Sequence, residues 1–202
     1  MGYYTRVLTT TDDFVNIDVL THALKECGSN AVIQREDAPG ASDWEQLILK
    51  KPDGPEIAMI ERSVVRAGSL GEAEIQEFED ELDEMLPKSG AEWLRTFFPR
   101  VRCVYSFQHL SGSHSDEGFK ALSAVRESIW QVAPAIIQAD GEGFTDEDAY
   151  QITWGFSEKV TGDWWMGLFK DGKSVHFQMD LGNAAHRKAF MNGTIPAGVK
   201  LA

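Results

Sequence analysis

The chain has 202 residues and a net charge of −13 at pH 7, because 32 acidic residues outnumber 19 lysines and arginines. Nucleic-acid binding needs lysine and arginine to displace counterions from phosphate, so this balance argues against DNA or RNA as a partner. An apolar fraction of 43%, with six Trp and eleven Phe, is enough to fill a hydrophobic core. The composition predicts a folded acidic protein, whose charge either keeps it in solution or attracts a basic protein partner.

The first third of the chain predicts a βαβββ pattern. A helix is indicated by Ile17, Leu20 and Leu24, which recur at helical spacing after a polar run and before Gly28. The predicted strands cover residues 3–9, 31–34, 44–50 and 57–62. The last two strands are joined by the turn sequence Pro-Asp-Gly-Pro at residues 52–55.

The middle of the chain predicts two helices. The first carries apolar residues at spacings of three and four, namely Ile75, Phe78, Leu82 and Met85. Eight carboxylates share this helix: Glu72, Glu74, Glu77, Glu79, Asp80, Glu81, Asp83 and Glu84. Pro87 ends it, and a second helix is expected from Ser89 onward with Trp93, Leu94 and Phe97 on one side. This pair is interpreted as an acidic helical linker over residues 67–99.

The second half repeats the strand and helix order of the first. A strand at 101–109 precedes a helix capped by Ser115, and a short helix at 184–190 follows the later strands. Those strands are predicted at 135–139, 150–156, 164–170 and 174–180, with Asp171-Gly172 as the turn between the last two. The pentapeptides at 30–34 and 134–138 are also similar. This pattern indicates either an internal duplication or a chance recurrence of βαβ-type runs.

The predicted fold class is therefore α+β, with two pseudo-repeated βαβββ-type units. Each has an antiparallel-rich sheet with helices on one face. We expect units at 1–66 and 100–202 with the linker between them, or one continuous domain. The two cysteines, Cys27 and Cys103, lack the spacing of zinc or redox sites and are expected to be reduced thiols in the core.

Targeting and metal signals are both missing from the sequence pattern. The N-terminus has no basic-then-apolar signal, and no apolar run approaches the ~20 residues of a membrane span, so we expect a cytoplasmic protein that does not bind membranes. The loop at 140–148 holds five acids, but their offsets do not fit a calcium loop. We therefore expect no metal and no cofactor.

Candidate catalytic residues are few. His109 and His114 flank a serine-rich loop, where a nucleophile and a base can meet, but no nucleophile-elbow sequence is present. His176 is expected on the polar face of its strand near Asp180, where either an enzyme pocket or simple solvent exposure explains it.

Candidate partner-binding residues lie in two places. Glu77, Glu81 and Glu84 face solvent on the acidic helix, either as an ordinary solvated face or as a docking surface. Trp164 and Trp165 are adjacent in a strand and must point to opposite faces, so one of them is a candidate contact residue unless other parts of the chain cover it.

Charge and the missing catalytic signatures favour a binding function. We interpret the chain as an acidic protein-binding module, similar in type to a small bacterial immunity or inhibitor protein that masks a basic enzyme. The alternative is a small enzyme with a cleft between two α+β units that uses histidine and carboxylate residues. A third alternative is a homodimer through the exposed tryptophan face.

Overall fold

The computed structural model describes residues 2–36, 43–170 and 172–202. Its helices and antiparallel sheets confirm the predicted α+β class. The chain forms two compact units, one from Met1–Gly71 with Arg102–Ala135 and one from Glu72–Val101 with Ile136–Ala202. The division predicted along the chain, at residues 66 and 99, stays a prediction. Within the described ranges, no helix combines the length and apolar character needed to cross a bilayer.

The first unit contains a five-stranded antiparallel sheet. Its strands are β1 (Tyr3–Thr9), β2 (Val32–Arg35), β3 (Gln46–Lys50), β4 (Glu56–Val64) and β5 (Cys103–His109). They are ordered β2-β3-β4-β5-β1, and β5 pairs along its whole length with both β1 and β4. Residues at alternate positions on one face are fully buried: Val7, Leu47, Ile60, Tyr105 and Phe107.

Two helices cover this unit's sheet, α1 (Ile17–Glu26) and α4 (Asp116–Trp130). They pack on each other, and α4 also contacts β1 and β4. Ser115 Oγ accepts a hydrogen bond from the Gly118 amide, which confirms the predicted cap of α4. The cap of α1 is Asn16, whose Oδ1 accepts a hydrogen bond from the Asp18 amide at 2.9 Å.

The second unit contains three helices and two groups of paired strands. The helices are α2 (Leu70–Glu81), α3 (Lys88–Phe97) and α5 (Ala184–Met191). The strands are β6 (Ala135–Ala139), β7 (Gly143–Phe144), β8 (Asp163–Lys170), β9 (Lys173–Asp180) and β10 (Lys200–Leu201). β6 pairs with β7, and β9 lies between β8 and β10. Asp171, half of the predicted turn between β8 and β9, lies outside the described residues.

The β8–β9 pair has two chemically different faces. One face carries Met166, Leu168, Phe177 and Met179, which are buried in a cluster with Phe190 of α5. The opposite face carries the residues at alternate positions, which are Trp165, Gly167, Phe169, Ser174, His176 and Gln178. Phe169 and Ser174 of this second face belong to the candidate site.

The strand predicted at residues 150–156 does not form. Gln151 makes only isolated bridges, to Thr145 and Met166, although it is buried with Ile152 and Thr153. Its side-chain Nε2 donates to the backbone oxygens of Glu142 and Thr153. The Gln151 side chain therefore supplies hydrogen bonds to backbone oxygens, which strand pairing would otherwise supply. The segment is buried but stays irregular.

Candidate functional site

A cavity of about 570 Å³ opens on the second unit. Its lining residues are Ser89, Glu92, Trp93, Thr96, Asp146, Glu147, Asp148, Phe169, Gly172 and Ser174. Four of them carry carboxylates, and none of the lining residues that the structure describes is a lysine or an arginine. The cavity is thus negatively charged, with two aromatic rings in its wall.

The aromatic wall belongs to a stacked column. Trp93 of α3 lies parallel to Phe169 of β8, with ring centroids 5.2 Å apart and an interplanar angle of 5°. On the same helix, Trp93 also stacks on Phe97, which is one turn further along, at 5.2 Å. The guanidinium carbon of Arg100 lies 5.0 Å from the centre of the Phe97 ring. The column therefore ends in a cation–π contact.

Arg100 links this column to the acidic rim. Its Nη2 lies 3.5 Å from Oε1 of Glu147, and both side chains are partly exposed. One guanidinium of the chain is therefore held between an aromatic face and a carboxylate. Because the pair is solvated, its contribution to stability is small.

The Asp146 side chain organises the loop at the cavity edge. Its Oδ1 accepts hydrogen bonds from the amides of Asp148 and Tyr150, at 3.0 and 2.9 Å. The backbone of Asp146 also pairs with that of Tyr150, and Ala149 adopts a left-handed conformation with φ of 67°. A non-glycine residue in that region costs free energy, so the Asp146 hydrogen bonds are needed to hold the turn.

The second oxygen of Asp146 faces His176. Oδ2 lies 3.5 Å from Nε2 of His176, and Tyr150 stacks on the imidazole with centroids 3.6 Å apart. Burial raises the pKa of Asp146, whereas the two amide hydrogen bonds and the nearby His176 act in the opposite direction. Asp146 is only 4% exposed, so it sits at the inner edge of the cavity.

Ser174 is the fourth member of a cluster with Asp146, Tyr150 and His176. Its Oγ lies 2.5 Å from the same Nε2 atom of His176. In a Ser–His–Asp triad the serine hydroxyl is hydrogen-bonded to one ring nitrogen of the histidine. The carboxylate accepts a hydrogen bond from the other ring nitrogen. Here Asp146 and Ser174 compete for one nitrogen, so the arrangement does not match a nucleophile activated by an oriented base.

Ser89 is a lining residue of the cavity whose hydroxyl oxygen is itself inaccessible to solvent. The Oγ atom is buried, and it has no hydrogen-bond partner within the part of the chain that the structure describes. A buried polar atom without a hydrogen-bond partner lowers stability.

The histidines of the first unit are not part of this cavity. His109 Nε2 lies 3.2 Å from Thr5 Oγ1, and its ring contacts Tyr3 edge to face. His114 ends a short 3-10 turn, Ser111–His114. The hydroxyls of Ser113 and Ser115 donate to backbone oxygens of Leu110 and Gly112, so they are engaged away from either histidine.

The remaining predicted residues lie in the second unit. Asp180 Oδ1 accepts from the Gly182 amide at 2.7 Å and so fixes the turn after β9. Glu77 and Glu81 are exposed on α2, and Glu84 is exposed in the turn that follows, since the helix ends at Glu81. Of these residues, none lines the cavity.

The two tryptophans lie on opposite faces of β8. Trp164 is 37% exposed and contacts Phe156 edge to face at 5.3 Å. Trp165 is half-buried, with Tyr150 edge-on at 6.1 Å and the Lys200 ammonium 5.7 Å from its ring centre. Trp165 therefore packs beside the Tyr150–His176 stack, whereas part of Trp164 reaches solvent.

The first unit holds buried ionisable groups that are chemically inert. Burial raises the pKa of the Cys103 thiol to about 11 and that of the Tyr105 hydroxyl to about 12. The nearby Arg62 donates through Nη2 to the Asp12 backbone oxygen at 2.7 Å. A thiol so far from ionisation at neutral pH is a poor nucleophile.

No protein-family model, curated protein or solved structure matches the chain. The site must therefore be interpreted from its own geometry. No group of three or more His, Cys, Asp or Glu side chains in the described ranges has an arrangement that could hold a metal ion.

Sequence reasoning identified His176 but missed its surroundings. Asp146 stood among five acids in one loop, with nothing in the pattern to single it out. Trp93 and Phe169 belong to different elements, and only the fold stacks them. The one local signal was the position of Trp93 directly after Glu92, which is too common a pattern to define a site.

Proposed function

We propose that the chain is an acidic protein-binding module that recognises a basic protein, in the manner of an immunity or inhibitor protein that masks a basic enzyme. The observation that carries this proposal is the cavity of the second unit, where four carboxylates face a space without a lining lysine or arginine among the described residues. A cationic side chain of a partner fits that charge, and an acidic surface accelerates association with a basic one.

Acidic residues of the second unit outside the cavity add to its negative charge. Glu77, Glu81 and Glu84 are exposed, as are the cavity-lining residues Glu92 and Asp148, and all five belong to the second unit. Such charges steer encounter and act mainly on the association rate, while the buried contacts determine how long the complex lasts.

The test begins by capturing partners on the immobilised full-length protein at low and high salt and identifying them by mass spectrometry. The partner is then purified, and its association rate is measured against the wild type and the double variant Glu92→Gln/Asp148→Asn. We expect the variant to associate about threefold to tenfold more slowly at low salt, with the difference shrinking at high salt.

The matched control is Glu158→Gln/Asp163→Asn, which removes the same charge from exposed residues of the same unit that do not line the cavity. If both pairs slow association equally, only net charge matters and the cavity has no special role. If no basic protein is captured at either salt concentration, the proposal is rejected.

A second candidate function is hydrolysis at Ser174, which the 2.5 Å contact with His176 favours. The competing position of Asp146 on the same nitrogen weighs against it. Turnover of an activated ester that disappears in Ser174→Ala, with the fold intact, would support the enzyme over the binding module.

The finer features of the fold remain proposals. The element orders β1-α1-β2-β3-β4 and β5-α4-β6-β7-β8-β9 both begin with a βαβ run, which supports the proposed duplication, although four strands follow the helix in the second run and three in the first. We likewise propose a cytoplasmic location. A homodimer through the face bearing Trp164 remains the alternative to a different protein as the partner, and a mass that rises with protein concentration in sedimentation would reveal it.

A further inference from the structure

We infer that a second, smaller cavity of the second unit binds the anion of a short-chain fatty acid, an apolar chain that ends in a carboxylate. This cavity has a volume of about 230 Å³ and is lined by Leu168, Lys170, Val175, Gly193, Thr194 and Ile195. The described residues that line it do not overlap with those of the acidic cavity. The inference is therefore independent of the proposed protein-binding function.

The floor of this cavity continues the buried face of the β8–β9 pair. Leu168 lies opposite Val175, and the next pair on the same face is Met166 with Phe177. Phe190 of α5 is buried in one cluster with Met166, Phe177 and Leu168. Beyond this cluster the same face borders a cavity at Leu168 and Val175. An apolar chain placed there extends the packing of the core.

The opposite wall is the segment that follows α5. Gly193 has a φ of 71°, its amide donates to the Phe190 oxygen at 2.8 Å, and the Thr194 amide donates to the Ala189 oxygen at 2.9 Å. These bonds close the helix end as in a Schellman motif, so the wall is fixed by backbone hydrogen bonds. The next residue, Ile195, is 37% exposed. A ligand that covers this side chain removes apolar surface from water, which favours binding.

The charge at the cavity selects an anionic end group. Lys170 lines the cavity, and Lys173 lies directly opposite it in β9. Like charges opposite each other in an antiparallel pair repel, and neither lysine has an ion pair with a described residue. None of the described lining residues is acidic, although the whole chain carries a charge of −13. A carboxylate between the two ammonium groups relieves their repulsion.

The volume limits the length of the chain. Apolar protein cavities of about 150 Å³ hold a molecule of the size of benzene, and sites for drug-sized ligands start at about 300 Å³. At about 230 Å³ this cavity lies between the two. It is therefore suited to a short alkyl chain and too small for the chain of a membrane lipid.

The test compares four probes on the full-length protein. Octanoate has the chain and the negative charge, 1-octanol has the chain alone, octylammonium has the chain with a positive charge, and acetate has the charge alone. Binding is followed by NMR through the methyl signals of Ile195, which the Ile195→Val variant assigns, at concentrations where no probe self-associates. We expect octanoate to bind at least about threefold more tightly than octanol and tenfold more tightly than octylammonium, and acetate to show no saturable binding.

Variants separate the contribution of the charges from that of the apolar wall. Lys170→Gln/Lys173→Gln should lower the octanoate affinity to that of octanol and leave octanol binding unchanged. Ile195→Ser should weaken both probes equally, by about fivefold. The matched control is Lys159→Gln/Lys188→Gln, which removes the same charge from exposed residues of the same unit outside this cavity. This control should leave octanoate binding unchanged.

Three outcomes would overturn the inference. The first is no saturable octanoate binding, and the second is equal affinity for octanoate and octylammonium. The third is an equal loss of affinity in the two lysine pairs, which would mean that only net charge matters. Both lysine pairs are exposed, so we expect unchanged circular dichroism for each, and the thermal midpoint of Lys170→Gln/Lys173→Gln should stay the same or rise as the repulsion is removed.

Discussion

Gly167 of β8 lies directly opposite His176 of β9, on the face against which the Asp146 loop packs. A Cβ at residue 167 would be 3.2 Å from both Ile152 Cγ2 and Tyr150 Cβ, and 3.5 Å from Asp146 Oδ2. The missing side chain lets the loop come close enough for Tyr150 to stack on His176. Gly167 is therefore a positioning residue for the site.

Replacing this glycine should disturb both stability and the site. In Gly167→Val the branched side chain has to displace Tyr150 or Ile152, and overpacking of this kind lowers the free energy of unfolding by about 1–3 kcal/mol. Urea unfolding measures that loss, and the NMR shifts of the His176 ring report whether Tyr150 has moved. Lys173→Val, at an exposed strand position, is the control. Equal stability of the two variants would contradict the close packing.

The raised pKa of Asp146 makes stability depend on pH. Below the ordinary value of 3.8 the carboxyl is protonated in both folded and unfolded chains. Between 3.8 and the raised folded pKa only the folded chain keeps the proton, so this group's contribution to stability is lost as pH rises through that window. Asp146→Asn carries no such charge, and its amide oxygen can still accept from Asp148 and Tyr150.

We therefore expect Asp146→Asn to gain stability relative to the wild type as pH rises from below 3.8, and the gain to level off above the raised pKa. Urea unfolding at a series of pH values measures it. The control Asp146→Ala loses the acceptor of two amides and should be destabilised at every pH, by about 1–3 kcal/mol. A constant difference between Asn variant and wild type across the series would mean that the carboxyl is not perturbed by burial.

Local patterns were sufficient to predict most of the regular elements. The strand over residues 3–9 and the helix capped by Ser115 were predicted correctly, because alternation and capping are local signals. The segment at 150–156 was wrongly predicted as a strand, since its apolar alternation also suits a buried irregular segment. Its backbone is satisfied by distant groups such as Trp165 and Leu86.

The site was harder to predict than the fold because its residues come from separate parts of the chain. Trp93, Asp146 and Ser174 lie on α3, a loop and β9, and no spacing rule joins them. The sequence pattern did identify His176 as a candidate. It did not indicate that Tyr150 and Asp146 would be the neighbours of its ring. Such a cluster is visible only once pairing and register are known.

The two cysteines should differ sharply in reactivity. Cys103 is fully buried, and burial raises its pKa to about 11, so almost no thiolate forms near neutral pH. Cys27 caps α1 and is half-buried. We expect iodoacetamide to label Cys27 in the native protein and Cys103 only after denaturation, as measured by peptide mass spectrometry. Native labelling of Cys103 at a comparable rate would show that the first unit opens readily.

The acidic face of α2 offers a test that separates steering from specific contact. Replacing Glu77, Glu81 and Glu84 with glutamine removes the like-charge pair Glu77–Glu81 at spacing i,i+4, so stability should stay the same or rise by about 0.2–0.5 kcal/mol. If this face steers a basic partner, association slows at low salt while dissociation is unchanged. Stopped-flow association and urea unfolding measure both effects. None of the three residues lines the cavity, so an unchanged association rate would remove α2 from the binding surface and leave the cavity as the recognition site.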